Sequence, residues 1–173
     1  MELSIEVPDP PAEPAAVARL LSTGEVEVKG RMPWSSNGTF LVEVAACEGD
    51  ARCLAVYKPE RGERPLWDYP PGLWRREVAA HRLSAWLGLD LVPVTVPRAD
   101  GPLGEGSLQQ FVPFDPEAHY FTLYEDESRH DELRRLCILD LVMNSCDRKG
   151  GHCLLGRDGR VHAIDNGLSF HAE

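Results

Sequence analysis

The chain has 173 residues, of which 43% are hydrophobic and 27% charged, and its formal net charge is −10. That size suits one domain or two small lobes sharing a cleft. The negative charge argues against a nucleic-acid binder, which needs a basic surface to neutralise phosphates, and against broad docking on anionic membrane. The opening MELSIEVPDPPAEP lacks the basic and apolar regions of a signal peptide, and no apolar run approaches the roughly 18 residues of a spanning helix. Five cysteines without an export signal point to reduced thiols, hence a cytoplasmic protein.

In chain order, residues 1–14 are expected to form a flexible leader. A short helix is expected over Ala15–Ser22, closed by Gly24 as a left-handed cap. EVEVKGRM and TFLVEVA read as strands joined by PWSSNG, a loop ending in the Asn37-Gly38 turn pair. ARCLAVYK reads as a third strand ending at Pro59, followed by a polar Pro/Gly-rich connection. From Leu73 to Leu87 the pattern is helical, with Leu73, Glu77, Ala80, Leu83 and Leu87 on one face and Gly88 as terminator. Strands are expected at LVPVTVPR and GSLQQFVPF. A helix over about Ser128–Asn144 follows, and a hairpin of CLLG, the turn RDGR and VHAID comes last. The natural boundary lies near Gln110–Pro116, giving a strand-rich first part over 15–112 and a helix-plus-hairpin second part over 113–173.

Several residues in this frame suit chemistry. Asp147 follows the apolar helix directly, on a Gly-containing loop before a strand. A carboxylate held there can orient a hydroxyl and accept its proton in phosphoryl transfer, although a lone Asp in a polar turn needs no function. Asp165 closes VHAI beside an Asn-Gly turn, and the hairpin returns it towards Asp147. A carboxylate so fixed suits Mg²⁺, which prefers oxygen donors. Leu54, Val56 and Lys58 share one strand face. A lysine on an apolar face needs a counter-charge, and Glu77 is the candidate, against the alternative of a lysine extending to solvent at the sheet edge. Ser35, Ser36 and Asn37, with the amides up to Gly38, suit phosphate oxygens in the hairpin loop. Asp140 lies within CILDLVM and needs a partner, which suggests that it braces the Asp147 loop. The Cys and His residues near the end fit no usual zinc spacing.

The order of these parts, and AVYKP, LDLVMNSCDR and AIDNGLSF in particular, resembles the phosphatidylinositol 3-/4-kinase-like family. The match is closest to its type II phosphatidylinositol 4-kinases and to a group of actinobacterial kinase-like proteins sharing YKPERGERPLWDYP and DRKGGH. The resemblance runs from about Gly30 to His171. It implies an α+β, bilobal kinase-like fold, with an antiparallel-sheet, ATP-binding first lobe over 15–112 carrying one helix and a partial, truncated helical second lobe over 113–173. It implies ATP with Mg²⁺ (or Mn²⁺) as cofactors. Lys58 would bind the phosphates, positioned by Glu77, and Asp147 would be the acid/base. Lys149 would reach the γ-phosphate, Asp165 would hold the metal, and Gln109, Gln110, Phe111 and Val112 would meet the adenine. His152 stands where such kinases place a metal-binding asparagine, so it is either a metal ligand or a structural or phosphate contact. The chain ends soon after Asp165, where such kinases continue, which suggests a fragment, a minimal form or an inactive one. The expected function is transfer of the ATP γ-phosphate to a hydroxyl of a lipid, small molecule or protein. The alternatives are a nucleotide-binding pseudokinase and an AMP-transferring enzyme.

Overall fold

The computed structural model describes residues 7–33, 35 and 37–172. Trp34 and Ser36, and with Ser36 its expected phosphate contact, therefore lie outside the described residues. The first helix, α1 (Pro14–Thr23), turns Val17, Leu20 and Leu21 inward at helical spacing. Gly24 does not form the expected left-handed cap, because its φ is −71° and its ψ 162°. Glycine is needed there for space: a Cβ would lie 2.6 Å from Ala45 O and 2.8 Å from Leu20 O.

Five strands form an antiparallel sheet: β1 (Glu25–Arg31), β2 (Phe40–Ala45), β3 (Arg52–Pro59), β4 (Thr95–Gly101) and β5 (Gly104–Gln110). Their spatial order is β1-β2-β3-β5-β4. The register pairs Phe40 with Tyr57 and Val42 with Ala55, and these residues pack with Leu108 under α1 in the first core. Alternation along β3 then sends Leu54, Val56 and Lys58 to the opposite face. On that face Val56 pairs with Gln109 and Lys58 with Ser107.

The β1–β2 loop departs from the expected turn. Neither Asn37 nor Gly38 has a positive φ, so the pair does not make a left-handed hairpin turn. A long-range contact decides the conformation instead. The Gly38 N–H donates to Gly62 O at 2.7 Å, and the Arg64 N–H donates to Asn37 Oδ1 at 3.0 Å. The two glycines meet so closely that a Cβ on Gly62 would lie 2.6 Å from Gly38 O. The loop is thereby fastened to a 3-10 turn at Glu60–Gly62.

Helix α2 (Leu73–Trp86) follows, its first turn closed by Glu63, which accepts from the amides of Gly72 and Trp74 at 2.9 Å. The helix expected over about Ser128–Asn144 is present as α4 (His130–Val142), entered through a 3-10 turn at Glu127–Arg129, and an unexpected short α3 (Tyr120–Tyr124) precedes it. Asp126 caps the 3-10 turn, its carboxylate accepting from the Ser128 N–H and Oγ–H at 2.9 and 2.6 Å. Helix α4 is followed by Asn144 at φ 47°, a conformation asparagine tolerates better than most residues.

The final hairpin is shorter than expected, with β6 (Cys153–Leu155) against β7 (Val161–Ala163), so Asp165 lies just beyond the strand rather than at its end. A second core gathers Leu133, Leu136, Leu139 and Met143 with Cys153 and Val161. Leu91 and Val92 join this second core, and Ala80 from α2 packs in it as well. The second core therefore draws on α2 and on the segment before β4 as well as on the C-terminal part. The architecture is α+β, built on one antiparallel five-stranded sheet and a small helical part with its hairpin.

Candidate functional site

The strands and helices bring three charged side chains together across the two parts. The Lys58 ammonium bonds Glu77 Oε1 and lies 2.7 Å from Asp165 Oδ1. Glu77 is deeply buried, its side chain only 2% exposed. Its other oxygen accepts from the Asn166 N–H at 2.9 Å. One carboxylate of α2 thus holds both the β3 lysine and the backbone next to Asp165. Asp165 sits at φ 57°, a left-handed conformation that turns the chain sharply there and aims its carboxylate at Lys58.

Charge coupling follows from this geometry. Burial opposes the Lys58 charge, but the Glu77 and Asp165 carboxylates outweigh it and raise the ammonium above its ordinary pKa. The Lys58 ammonium in turn lowers Asp165 to about 2, against partial burial. Both groups are ionised over the whole physiological range.

Two of the three, Lys58 and Asp165, line a cavity of about 260 Å³. Gln109, Gln110, Phe111 and Val112 line it as well. The Phe111 N–H is spent on Leu54 O at 3.0 Å. The Val112 N–H has no bond among the described residues, which leaves it as the segment's available donor. Met32, Pro33, Ser35 and Thr39 bring the β1–β2 loop over the same space. Ser35 Oγ lies 2.7 Å from Thr39 Oγ1. Asn37 is not in this lining. Its amide oxygen is held by Arg64, as described above, which turns it away from the cavity.

His152 also lines the cavity, with Nε2 3.3 Å from Asp165 Oδ2. Its Nδ1 lies 3.5 Å from the Lys149 N–H, which donates to it. That contact makes Nδ1 the accepting nitrogen and leaves the proton on Nε2, the ring nitrogen nearer Asp165. Burial lowers the His152 pKa, and Asp165 only partly opposes this, so the ring is neutral at pH 7. Asp147 and Lys149 pair with each other at 2.8 Å, with side chains 42% and 62% exposed. They are absent from the cavity lining. Their charges nonetheless act on His152, which puts them beside the Asp165 end of the site. The hydrogen bond to Asp147 raises the Lys149 pKa.

The bracing expected of Asp140 is present, and its partner is a residue that sequence reasoning passed over. Arg148 donates to Asp140 from Nε at 3.0 Å and from Nη2 at 2.8 Å. It also donates to Ile164 O and to Asn166 Oδ1, each at 2.6 Å. The loop holding Asp147 is therefore bolted to the segment holding Asp165 by a single guanidinium. The adjacent acid and base of Asp147-Arg148, eight residues at most after the half-buried Asp140, were the available signal.

No group of three His, Cys, Asp or Glu side chains placed to hold a metal exists among the described residues. No helix among them is long and apolar enough to cross a membrane.

No protein-family model matches the chain. It is similar to Protein Rv2133c of Mycobacterium tuberculosis, at 38% identity over 191 aligned residues. That alignment covers 89% of this chain and 66% of the relative, so the chain spans just under two thirds of the relative's length.

Proposed function

We propose that the chain is the nucleotide-binding and catalytic part of a kinase-like phosphotransferase. The observation that carries the reading is the Lys58 ammonium, held between buried Glu77 and Asp165 on the wall of a cavity. In this reading Lys58 contacts the ATP phosphates, and Glu77 fixes its position. The Val112 N–H and the apolar side chains around it receive the adenine, and Ser35 lies within the loop over the phosphates.

The donor set at Asp165 suits Mg²⁺ or Mn²⁺ arriving with the nucleotide. Such ions take one or two carboxylates and complete their shell with phosphate and water oxygens, so no cluster of three protein ligands is required. Asp165 would hold such a cation, and the chemistry it would supply there is neutralisation of the nucleotide's phosphate charge. His152 serves this site through Asp165, because its proton-bearing Nε2 faces the carboxylate and orients it. Asp147 is the group placed to take a proton from an acceptor hydroxyl, and Lys149 the cation placed to meet the transferred phosphoryl group.

One observation favours a second reading. Asp147 and Lys149 lie outside the cavity lining and are paired with each other, as in a protein that binds nucleotide without transferring from it. Calorimetric titration of ATP with Mg²⁺ and Mn²⁺, on wild type and on Asp165→Asn, tests the site itself. Metal-dependent binding that Asp165→Asn abolishes is the expected result, and a folded wild type that binds no ATP refutes both readings. Incubation with γ-labelled and α-labelled ATP separates them. Transfer or hydrolysis of the γ-label, lost in Asp147→Asn, supports the phosphotransferase. Binding without turnover supports the second reading, and incorporation of the α-label marks AMP transfer.

A further inference from the structure

Three arginines stand beside the sheet with no counter-charge. Arg31 ends β1, while Arg61 and Arg64 lie within and just after the 3-10 turn fastened to the β1–β2 loop. With Phe40, Pro59 and Leu103 they line a cavity of about 430 Å³. None of the three guanidinium groups makes an ion pair or hydrogen bond among the described residues. No carboxylate lines this cavity, although the chain has 28 acidic residues against 18 basic ones. The nearest acids in sequence are committed elsewhere. Glu60 accepts from Trp74 Nε1 at 2.8 Å and meets Arg75 at 3.4 Å, and Glu63 caps α2.

This cavity is not the one that Lys58 faces. Arg31, Phe40 and Pro59 belong to the other parity of their strands from Val56 and Lys58, and the two linings share no residue. The chemistry also differs. Three unpaired guanidinium groups repel one another and offer forked N–H donors matched to a phosphate group. Phe40, Pro59 and Leu103 supply an apolar wall beside them.

We infer that Arg31, Arg61 and Arg64 form a second anion site, which takes a phosphomonoester carried on a small uncharged or apolar body. Three positive charges suit a dianionic phosphate better than a single carboxylate, and the volume leaves room for the group that bears it. The same headgroup chemistry occurs on soluble phosphomonoesters and on phosphatidic acid, and the test distinguishes these sources.

The full chain is titrated, without nucleotide or divalent metal, with glycerol 3-phosphate by calorimetry and with phosphatidylcholine vesicles containing phosphatidic acid by co-sedimentation. The proteins compared are wild type, Arg61→Ala/Arg64→Ala, Arg31→Ala, and Lys58→Met as a control on the other cavity. The expected result is binding to at least one probe that weakens with salt. It falls tenfold or more in the double variant, falls measurably in Arg31→Ala, and persists in Lys58→Met. The arm that shows it identifies the source. Because these arginines are exposed and unpartnered, the variants keep the wild-type circular dichroism and thermal midpoint, which separates lost binding from lost folding. The proposal is overturned if folded wild type binds neither probe, if the arginine variants bind as wild type does, or if Lys58→Met abolishes the binding. It does not depend on the kinase-like reading: the Lys58→Met arm reads the first cavity, and the arginine arms read the second.

Discussion

Replacing Glu77 by alanine tests the central claim about how the two parts are joined. Glu77 is 1% exposed and accepts both from Lys58 and from the Asn166 N–H, so the substitution orphans a buried amide and strips an ammonium of one of its two carboxylates. Breaking a buried ion pair from one side costs about 3–5 kcal/mol. Asp165 remains as a partner for Lys58, which places the expected loss near the lower end, at about 3 kcal/mol. For a domain of this size each kcal/mol moves the thermal midpoint by about 2–4 °C, so the fall is about 6–12 °C. Urea denaturation at pH 7 gives the free energy directly. The cycle is closed with Lys58→Met, which removes the charge that Glu77 neutralises. The double variant is expected to be more stable than the sum of the singles implies, by about 1 kcal/mol or more. A midpoint change under about 2 °C for Glu77→Ala, or single effects that simply add, would refute the reasoning.

Three further outcomes follow from other contacts. Asp165 has a depressed folded pKa of about 2 against an ordinary 3.8, so its stabilising contribution is complete above the ordinary value and is lost as pH falls through 2. The stability gap between wild type and Asp165→Asn is therefore expected to be constant near neutrality and to close between those two pH values, as read by denaturation at stepped pH. Arg148→Met leaves Asp140 without its charge partner and is expected to cost about 3–5 kcal/mol in urea denaturation. Adding Asp140→Asn should recover part of that loss. Gly62→Ala pushes a Cβ into the Gly38 backbone and is expected to cost about 1–3 kcal/mol, visible as a lowered thermal midpoint. An unchanged midpoint would mean that the loop is not fastened at that point.

What the sequence made legible follows from the range of the interactions involved. The Lys58–Glu77 pair could be anticipated because strand alternation and helix periodicity each put one charge on an otherwise apolar face. The approach of Asp165 to the site followed from the hairpin, a local device. The orientation of Asn37 was not legible, because it is set by Arg64 across a loop, and a turn signal within four residues carries no record of that contact. Gly24 and Gly38 read as turn glycines, yet each is required by backbone packed against it from elsewhere. The helix α4 was legible from its apolar pattern, whereas the short α3 before it was not, because five residues are too few to show a helical period. Arg148 was overlooked because its partners lie on two segments remote from each other in sequence, and the Arg31–Arg61–Arg64 cluster was hidden because its members also come from two separate segments.

The second bond made by Glu77 has a practical consequence. The Asn166 amide proton is buried and donates to the same carboxylate that holds Lys58, so it can exchange with solvent only when that carboxylate lets go. Its deuterium uptake is thus a clock for the disengagement of α2, readable at one backbone position without any label or ligand. Any molecule that settles on Lys58 and draws Glu77 tighter would slow that clock, and one that pulls the lysine away would quicken it. The amide offers a direct way to watch the cleft respond before its true occupant has been found.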